Sequence, residues 1–383
     1  MQLKRLSLSF FAAQLLVVSN LCADDYISVQ YMNYDEESGR TTVSTPAIEI
    51  SKDFGVDYNI KASFVHDALS GASPTWYDSS SGATSMISDG TLFQDDIVYD
   101  YIDYDDSRDA FAAAITTRFA SRDELTFGLN YSNENDYTSR EISVEFLHYL
   151  DALKNRSLTF GFSYQNNDVT VFCSDSSCDA SSGASPKKRE KEIEVLTAQV
   201  GITQIIDADS LVKAALFYIA EEGYLSNPYM NVVRDYYGLV HLTLESKPDT
   251  RDAYGMQIEY YKSLGALSYN ASYRLYNDDW EIMSHTFDLQ LYYAYSKKLT
   301  VGVGGRFYTQ DSAYFYSDRK DYFTDERYAS SDRRVSDFAS YNAMFSAKYR
   351  FYEDLSVNAS LNYYTQPEYF DAIYYNFGFI YEF

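Results

Sequence analysis

Short segments in which apolar and polar residues strictly alternate recur along this chain up to its last residue. Leu125, Phe127, Leu129 and Tyr131 alternate with Thr126, Gly128, Asn130 and Ser132. Leu158, Phe160, Phe162 and Tyr164 alternate with Thr159, Gly161, Ser163 and Gln165, and Leu355 to Tyr363 repeats the pattern. Side chains on a strand point to opposite faces with period two, so each segment has one apolar and one polar face. The polar face consists of small hydroxyl, amide and glycine residues with occasional charges, which suits a watery lumen. The apolar face repeatedly ends in Tyr or Phe, as aromatic girdles at membrane interfaces require. With 40 Tyr and 24 Phe among 383 residues, the chain is too aromatic to be disordered. At 23% charged residues it is too polar for a bundle of membrane helices, and past the N-terminus no apolar stretch reaches that length.

Counting connections sharpens the reading. Seven tight turns fall around Phe54–Asp57, Ala120–Glu124, Leu150–Arg156, Asp207–Ser210, Leu264–Gly265, Lys297–Lys298 and Tyr352–Asp354. Eight more polar and mostly longer connections lie near 35–40, 68–107, 133–138, 168–192, 222–251, 277–280, 311–337 and 366–369. Together they predict an all-β, transmembrane antiparallel barrel of about sixteen strands, with both termini on the short-turn side. Short periplasmic turns and longer extracellular loops are the habit of bacterial outer-membrane barrels.

The two ends support export to that membrane. Lys4 and Arg5 precede an apolar run from Leu6 to Val18 that is too short to span a bilayer, so residues 1–23 read as a signal peptide ending at Ala23. The barrel then occupies 24–383. At the other end Tyr375, Phe377, Phe379, Tyr381 and the final Phe383 occupy every second position. Such a strand resembles the signal read by the outer-membrane assembly machinery of Gram-negative bacteria. Its open edge has to close against the first strand, for which Tyr26 to Tyr34 is a suitable partner. Cys173 and Cys178, with four residues between them in an exported chain, read as a local disulfide.

The segments SGASP at 70–74, EEGYLSNPY at 221–229, NDDWEIMSHT at 277–286 and YTQDSAYFYSD at 308–318 carry a resemblance to a family of outer-membrane barrels catalogued as a domain of unknown function. The resemblance covers essentially the whole mature chain and implies an exported barrel without an assigned activity. Members of that family are often encoded near a flavin-attaching transferase and a thioredoxin-like protein, which implies an envelope redox or metal-related process.

The residues themselves offer little catalytic chemistry. His148 and His285 have the outward parity of their strands, and Ser284 and His285 are adjacent, so they point to opposite faces and cannot pair as nucleophile and base. No catalytic or cofactor site is expected. The inward parity carries Lys61, Arg118, Glu145, Lys213, Glu259, Arg274, Asp288, Arg306, Lys348 and Arg350 as pore-lining candidates, a wall mixed or slightly basic in charge. Water, acidic side chains from loops folded inward within 68–107, 222–251 and 311–337, or an anionic solute are expected to satisfy its arginines. The loops hold most of the acid: 95–109 reads DDIVYDYIDYDDSRD. Its carboxylates are hard oxygen ligands able to hold Ca²⁺ or Mg²⁺, or to bridge through such ions to lipopolysaccharide phosphates. A net charge of -25 excludes nucleic acid as a partner, because that affinity depends on Lys and Arg neutralising phosphates.

The expected function is porin-like passage of a small hydrophilic solute or ion across the outer membrane. The alternative is a plugged or partner-binding barrel serving an envelope redox or metal-handling system.

Overall fold

The computed structural model describes residues 25–37, 40–78, 97–173, 187–237, 239–319, 322–367 and 369–383. The N-terminal segment 1–23 and Cys178 lie outside these residues, so the signal peptide and the Cys173–Cys178 pairing have no structural counterpart here.

Sixteen strands close into one antiparallel barrel in which each pairs with its neighbours in the chain. The first nine are β1 (Tyr26–Glu36), β2 (Thr41–Phe54), β3 (Tyr58–Asp78), β4 (Ile97–Arg118), β5 (Glu124–Asn133), β6 (Tyr137–Tyr149), β7 (Arg156–Cys173), β8 (Lys187–Asp207) and β9 (Ser210–Gly223). A separate two-stranded hairpin, β10 (Asn231–Tyr236) with β11 (Leu239–Leu244), interrupts the series. The barrel resumes with β12 (Thr250–Leu264), β13 (Leu267–Asp278), β14 (Met283–Ala294), β15 (Leu299–Gln310), β16 (Phe338–Arg350), β17 (Leu355–Gln366) and β18 (Phe370–Glu382). All seven short turns fall where the sequence places them. Gly55 and Gly265 sit in two of them at φ 70° and 67°. A Cβ at either would meet nothing, so the left-handed backbone, not space, favours glycine there.

Closure is made by the terminal strands. Ile27, Val29 and Tyr31 of β1 lie opposite Tyr381, Phe379 and Phe377 of β18, so the open edge and its aromatic face are consumed together. Elsewhere the outward parity forms a belt with two aromatic rims. Tyr131, Tyr218, Tyr254, Tyr341 and Tyr363 are exposed towards the loop end, and Tyr58, Tyr293, Tyr349 and Tyr381 towards the turn end. Between them Phe345 and Leu361 face each other across β16 and β17, 54% and 53% exposed. Large apolar side chains so exposed in mid-strand require lipid, not water, as their solvent.

The loops depart from expectation in length. β3 and β4 stay paired out to Asp78 opposite Ile97, and β7 and β8 out to Cys173 opposite Lys187. Much of 68–107 and 168–192 is therefore strand. The acid density suggests loop, but above the bilayer both faces of a hairpin can be wet, so polarity does not oppose pairing.

Candidate functional site: the barrel interior

The inner wall changes character along its height. Towards the loop end β7 and β8 turn Val169, Val171 and Ile193 inward, and these pack against Leu225, Trp280, Ile282, Ala313, Phe315 and Val335. That apolar patch anchors a layer formed by residues 224–249 and 311–337. The two segments are joined by reciprocal backbone hydrogen bonds between Ser246 and Ala329 (3.0 and 2.8 Å) and by the bond from Asp235 N–H to Phe323 O (2.8 Å). Trp280 is fixed by its indole N–H donating to Thr250 O (3.0 Å), and Asp278 accepts from the backbone N–H groups of Trp280 and Ile282.

Four charged side chains join the layer internally, Glu245, Lys247 and Asp332 buried and Arg334 half-buried. Lys247 Nζ lies 2.9 Å from Glu245 Oε1 and 3.0 Å from Asp332 Oδ2, and Arg334 pairs with Asp332 as well. Ser330 donates to Glu245 Oε2 (2.6 Å), and Asn227 N–H donates to its other oxygen. Burial pushes the Glu245 carboxyl above its ordinary range, with Lys247 opposing and Asp332 adding to the effect. Burial also acts against ionisation of Asp332, but Arg334 and Lys247 override it and hold that carboxyl far below its usual value.

Beneath the layer a cavity of about 1770 Å³ extends from Asp207, Ala208 and Gly265 at the turn end to Leu225, Lys247 and Arg334 at the loop end. Its described lining includes eight basic and nine acidic side chains. The inward parity predicts a mixed or slightly basic wall; the cavity lining is near balance with acid one ahead, and it takes in charges of both signs absent from the parity list, among them Arg108, Arg251, Lys262, Asp207, Asp209 and Glu221.

Of the ten candidates, Glu259, Arg274, Asp288, Arg306 and Lys348 line this cavity. Arg306 pairs with Asp288, directly opposite it on β14. Glu259 accepts from Gln257 (2.5 Å) and from the Tyr261 hydroxyl (2.7 Å). The Arg274 guanidinium lies over the Phe217 ring, 4.5 Å from its centre. Phe217 reaches it across Gly255, where a Cβ would collide with that ring. Among the described residues, Arg274 and Lys348 are the lining cations with no carboxylate within ion-pair distance. Lys61 sits 3.3 Å from Glu49, Arg118 lies 3.2 Å from Asp53 and 4.0 Å from Glu124, and Lys213 lies over the Tyr261 ring at 5.2 Å. Glu145 and Arg350 are exposed. Arg118 and Arg306 each meet acids of the wall strands, Asp53 and Glu124 for the first and Asp288 for the second.

Parity alone misses the inward pairs nearer the loops. Arg108 meets Asp67 (2.7 Å), and Arg251 meets Asp278 (2.6 Å) and Glu221 (3.7 Å). Ser284 lines the cavity while His285 turns outward to the Tyr273 hydroxyl (2.8 Å), so the two do not meet.

A closed sixteen-strand sheet with a lipid-facing belt, short turns at one end and longer loops at the other defines a transmembrane β-barrel of the outer-membrane type. The chain belongs to the family described as "Protein of unknown function (DUF3570)", whose model matches residues 10–374. No curated relative matches it. Among solved structures it is similar to a bacterial polysaccharide outer membrane secretin (TM-score 0.50, 6% identity, 95% of this chain and 100% of that one). It is also similar to the CymD monoaromatic hydrocarbon channel (TM-score 0.43, 9% identity, 95% and 89%), and to OccK8 (OprE) of Pseudomonas aeruginosa (TM-score 0.43, 9% identity, 94% and 97%).

Proposed function

We propose that this protein is a porin-like barrel of the Gram-negative outer membrane, passing a small hydrophilic solute or ion. The observation that carries the reading is the cavity that follows the inner wall from turn end to loop layer, lined by hydroxyl, amide and nearly balanced charged groups. Such a wall cannot be a dry core, because the guanidinium groups of Arg274 and Arg306 are too costly to bury away from water. The loop layer narrows the upper end, so the expected conductance is small, and the charge balance makes it weakly selective. Insertion would proceed through the outer-membrane assembly machinery, which the alternating aromatics up to Phe383 suit, and the loops would stand among lipopolysaccharide. Single-channel recording in planar bilayers is the test. Protein that inserts correctly yet passes no current at any voltage refutes passage. It would favour instead a plugged, partner-binding barrel in an envelope redox or metal-handling system, a reading supported by the packed layer of 224–249 against 311–337.

A further inference from the structure

Many charges of the inner wall are matched across a strand pair, and near mid-height Arg274 and Glu141 are not. Arg274 stands between Gln257 and Thr286, directly opposite it on β12 and β14. Glu141 stands between Asn130 and Gln165, directly opposite it on β5 and β7. Register thus puts an uncharged neighbour on both sides of each. The Glu141 carboxylate is held by its two amides, Asn130 Nδ2 donating to Oε1 (3.2 Å) and Gln165 Nε2 to Oε2 (2.6 Å). The Arg274 guanidinium rests one face on the Phe217 ring, which leaves its N–H edge to the lumen. Among the described residues, neither has a group of opposite charge within ion-pair distance.

The two charges border the same cavity at nearly one height. Arg274 is seven residues from Leu267, the turn end of β13, and Glu141 is eight from Tyr149, the turn end of β6. β6 and β13 are five places apart in the ring of sixteen strands, so the charges face each other across water and not along one wall. Their neighbours do not cancel the difference. On the Arg274 side Arg306 pairs with Asp288, and Lys213 lies directly opposite Glu259, which leaves that wall one positive charge. On the Glu141 side Arg108 pairs with Asp67 and Lys61 with Glu49, which leaves one negative charge at that height. Nearer the turns the arrangement recurs, because Lys348 on β16 and Glu145, on the inward parity of β6, are eight places apart.

We propose that the lumen selects small zwitterions, solutes that carry one carboxylate and one ammonium group as free amino acids do, by aligning them between Arg274 and Glu141. The inference rests on the conducting lumen proposed above and names its solute class. A nearly neutral wall discriminates little between cations and anions, but opposite charges on facing walls act on a dipole. A zwitterion gains as its carboxylate turns to Arg274 and again as its ammonium turns to Glu141. A simple ion gains at one wall what it loses at the other, and an uncharged solute gains at neither. The guanidinium edge offers parallel N–H donors to a carboxylate, and the amide-braced oxygens of Glu141 accept from an ammonium. Sheet and lipid behind both walls keep this field from being screened as it is at an open surface.

The test is swelling of proteoliposomes that hold the full barrel, at neutral pH, with alanine and lactamide as solutes. The two match in size and carry no net charge, and only alanine is a zwitterion. The alanine-to-lactamide rate ratio should be roughly two- to threefold higher through the wild type than through Glu141→Gln or Arg274→Gln. Arg274→Glu combined with Glu141→Arg reverses the field and should restore most of the wild-type ratio, since a zwitterion can turn round. Heat-modifiable migration verifies that each barrel is folded, and planar-bilayer current in KCl verifies that it is open. An open wild-type channel whose ratio equals that of both neutral variants overturns the inference and leaves the passage reading standing. A folded wild-type barrel that passes neither current nor either solute overturns both.

Discussion

Arg274 is the residue on which ion preference should turn. It lines the cavity, rests on Phe217 and has no carboxylate partner among the described residues. A unit charge about 5 Å from a passing ion in water is worth about 0.8 kcal/mol, which salt near 0.1 M screens to about 0.5 kcal/mol. Arg274→Glu reverses the sign. A cation then gains about 1 kcal/mol at that point and an anion loses about the same. The permeability ratio moves by about 2 kcal/mol, or roughly thirtyfold towards cations, where ions must pass the side chain at that distance. In a wider lumen the shift falls to a few-fold. Reversal potentials across a KCl gradient measure it. Asp288→Asn is the control of opposite sign, since it removes the acid paired with Arg306 on the same wall and should shift preference towards anions. If both substitutions left the reversal potential where it stands in the wild type, the assignment of this wall to the conducting path would be wrong.

Other consequences can be read on gels, by exchange and by labelling. Arg at Phe345 or Leu361, which face each other in mid-belt, should destabilise the barrel by about 2–4 kcal/mol, measured by urea unfolding in lipid. Lys247→Ala should destabilise the loop layer by about 3–5 kcal/mol, because Glu245 and Asp332 both lose a buried partner. Glu245→Gln should cost within about 1 kcal/mol. Since the Glu245 carboxyl is raised in the fold, its contribution is fully present below the ordinary carboxylate range and is lost as pH rises through the raised value. Asp332 is held low, so its contribution persists across that window and fails only in strong acid. Rate-corrected hydrogen exchange at 224–249 should therefore slow on acidification from neutral pH, and Glu245→Gln should abolish that trend. Cys173 and Cys178 should resist maleimide until reduced, and full labelling without reductant would exclude their bond.

What could be read from the sequence, and what could not, divides along one physical line. Period-two alternation specifies the face on which a residue lies, and turn chemistry separates the strands. Those two signals suffice for sixteen strands, seven correctly placed turns and the closure of β18 on β1. Neither reveals register. Arg306 and Asp288, Arg108 and Asp67, and Arg251 and Glu221 are each directly opposite across a strand pair. A slip of two residues preserves every face and breaks each of these pairs. The parity list thus contained Arg306 and Asp288 without their partnership. The loop layer was less legible still. Glu245, Lys247, Asp332 and Arg334 look like ordinary polar loop residues until the fold of 224–249 onto 311–337 brings them together.

The same cross-strand logic explains how a chain with a net charge of -25 encloses a nearly neutral lumen. A charge on the inner wall faces a narrow water column backed by sheet and lipid, so its field is screened less than at an open surface. An opposite charge two to four ångströms away on the next strand removes most of that cost, and the sheet supplies the position. Lys61 with Glu49 follows this pattern beside the directly opposed pairs, and Lys262 reaches Asp207 one strand further on, across β9. The surplus acid lies where bulk water screens it, as at the exposed Asp57, Asp318, Asp325, Glu326, Glu353 and Asp354 of turns and loops. Net charge therefore describes the two ends of the barrel. If the barrel conducts as proposed, ion preference should follow instead the few wall charges that register leaves unmatched, foremost Arg274 and Lys348.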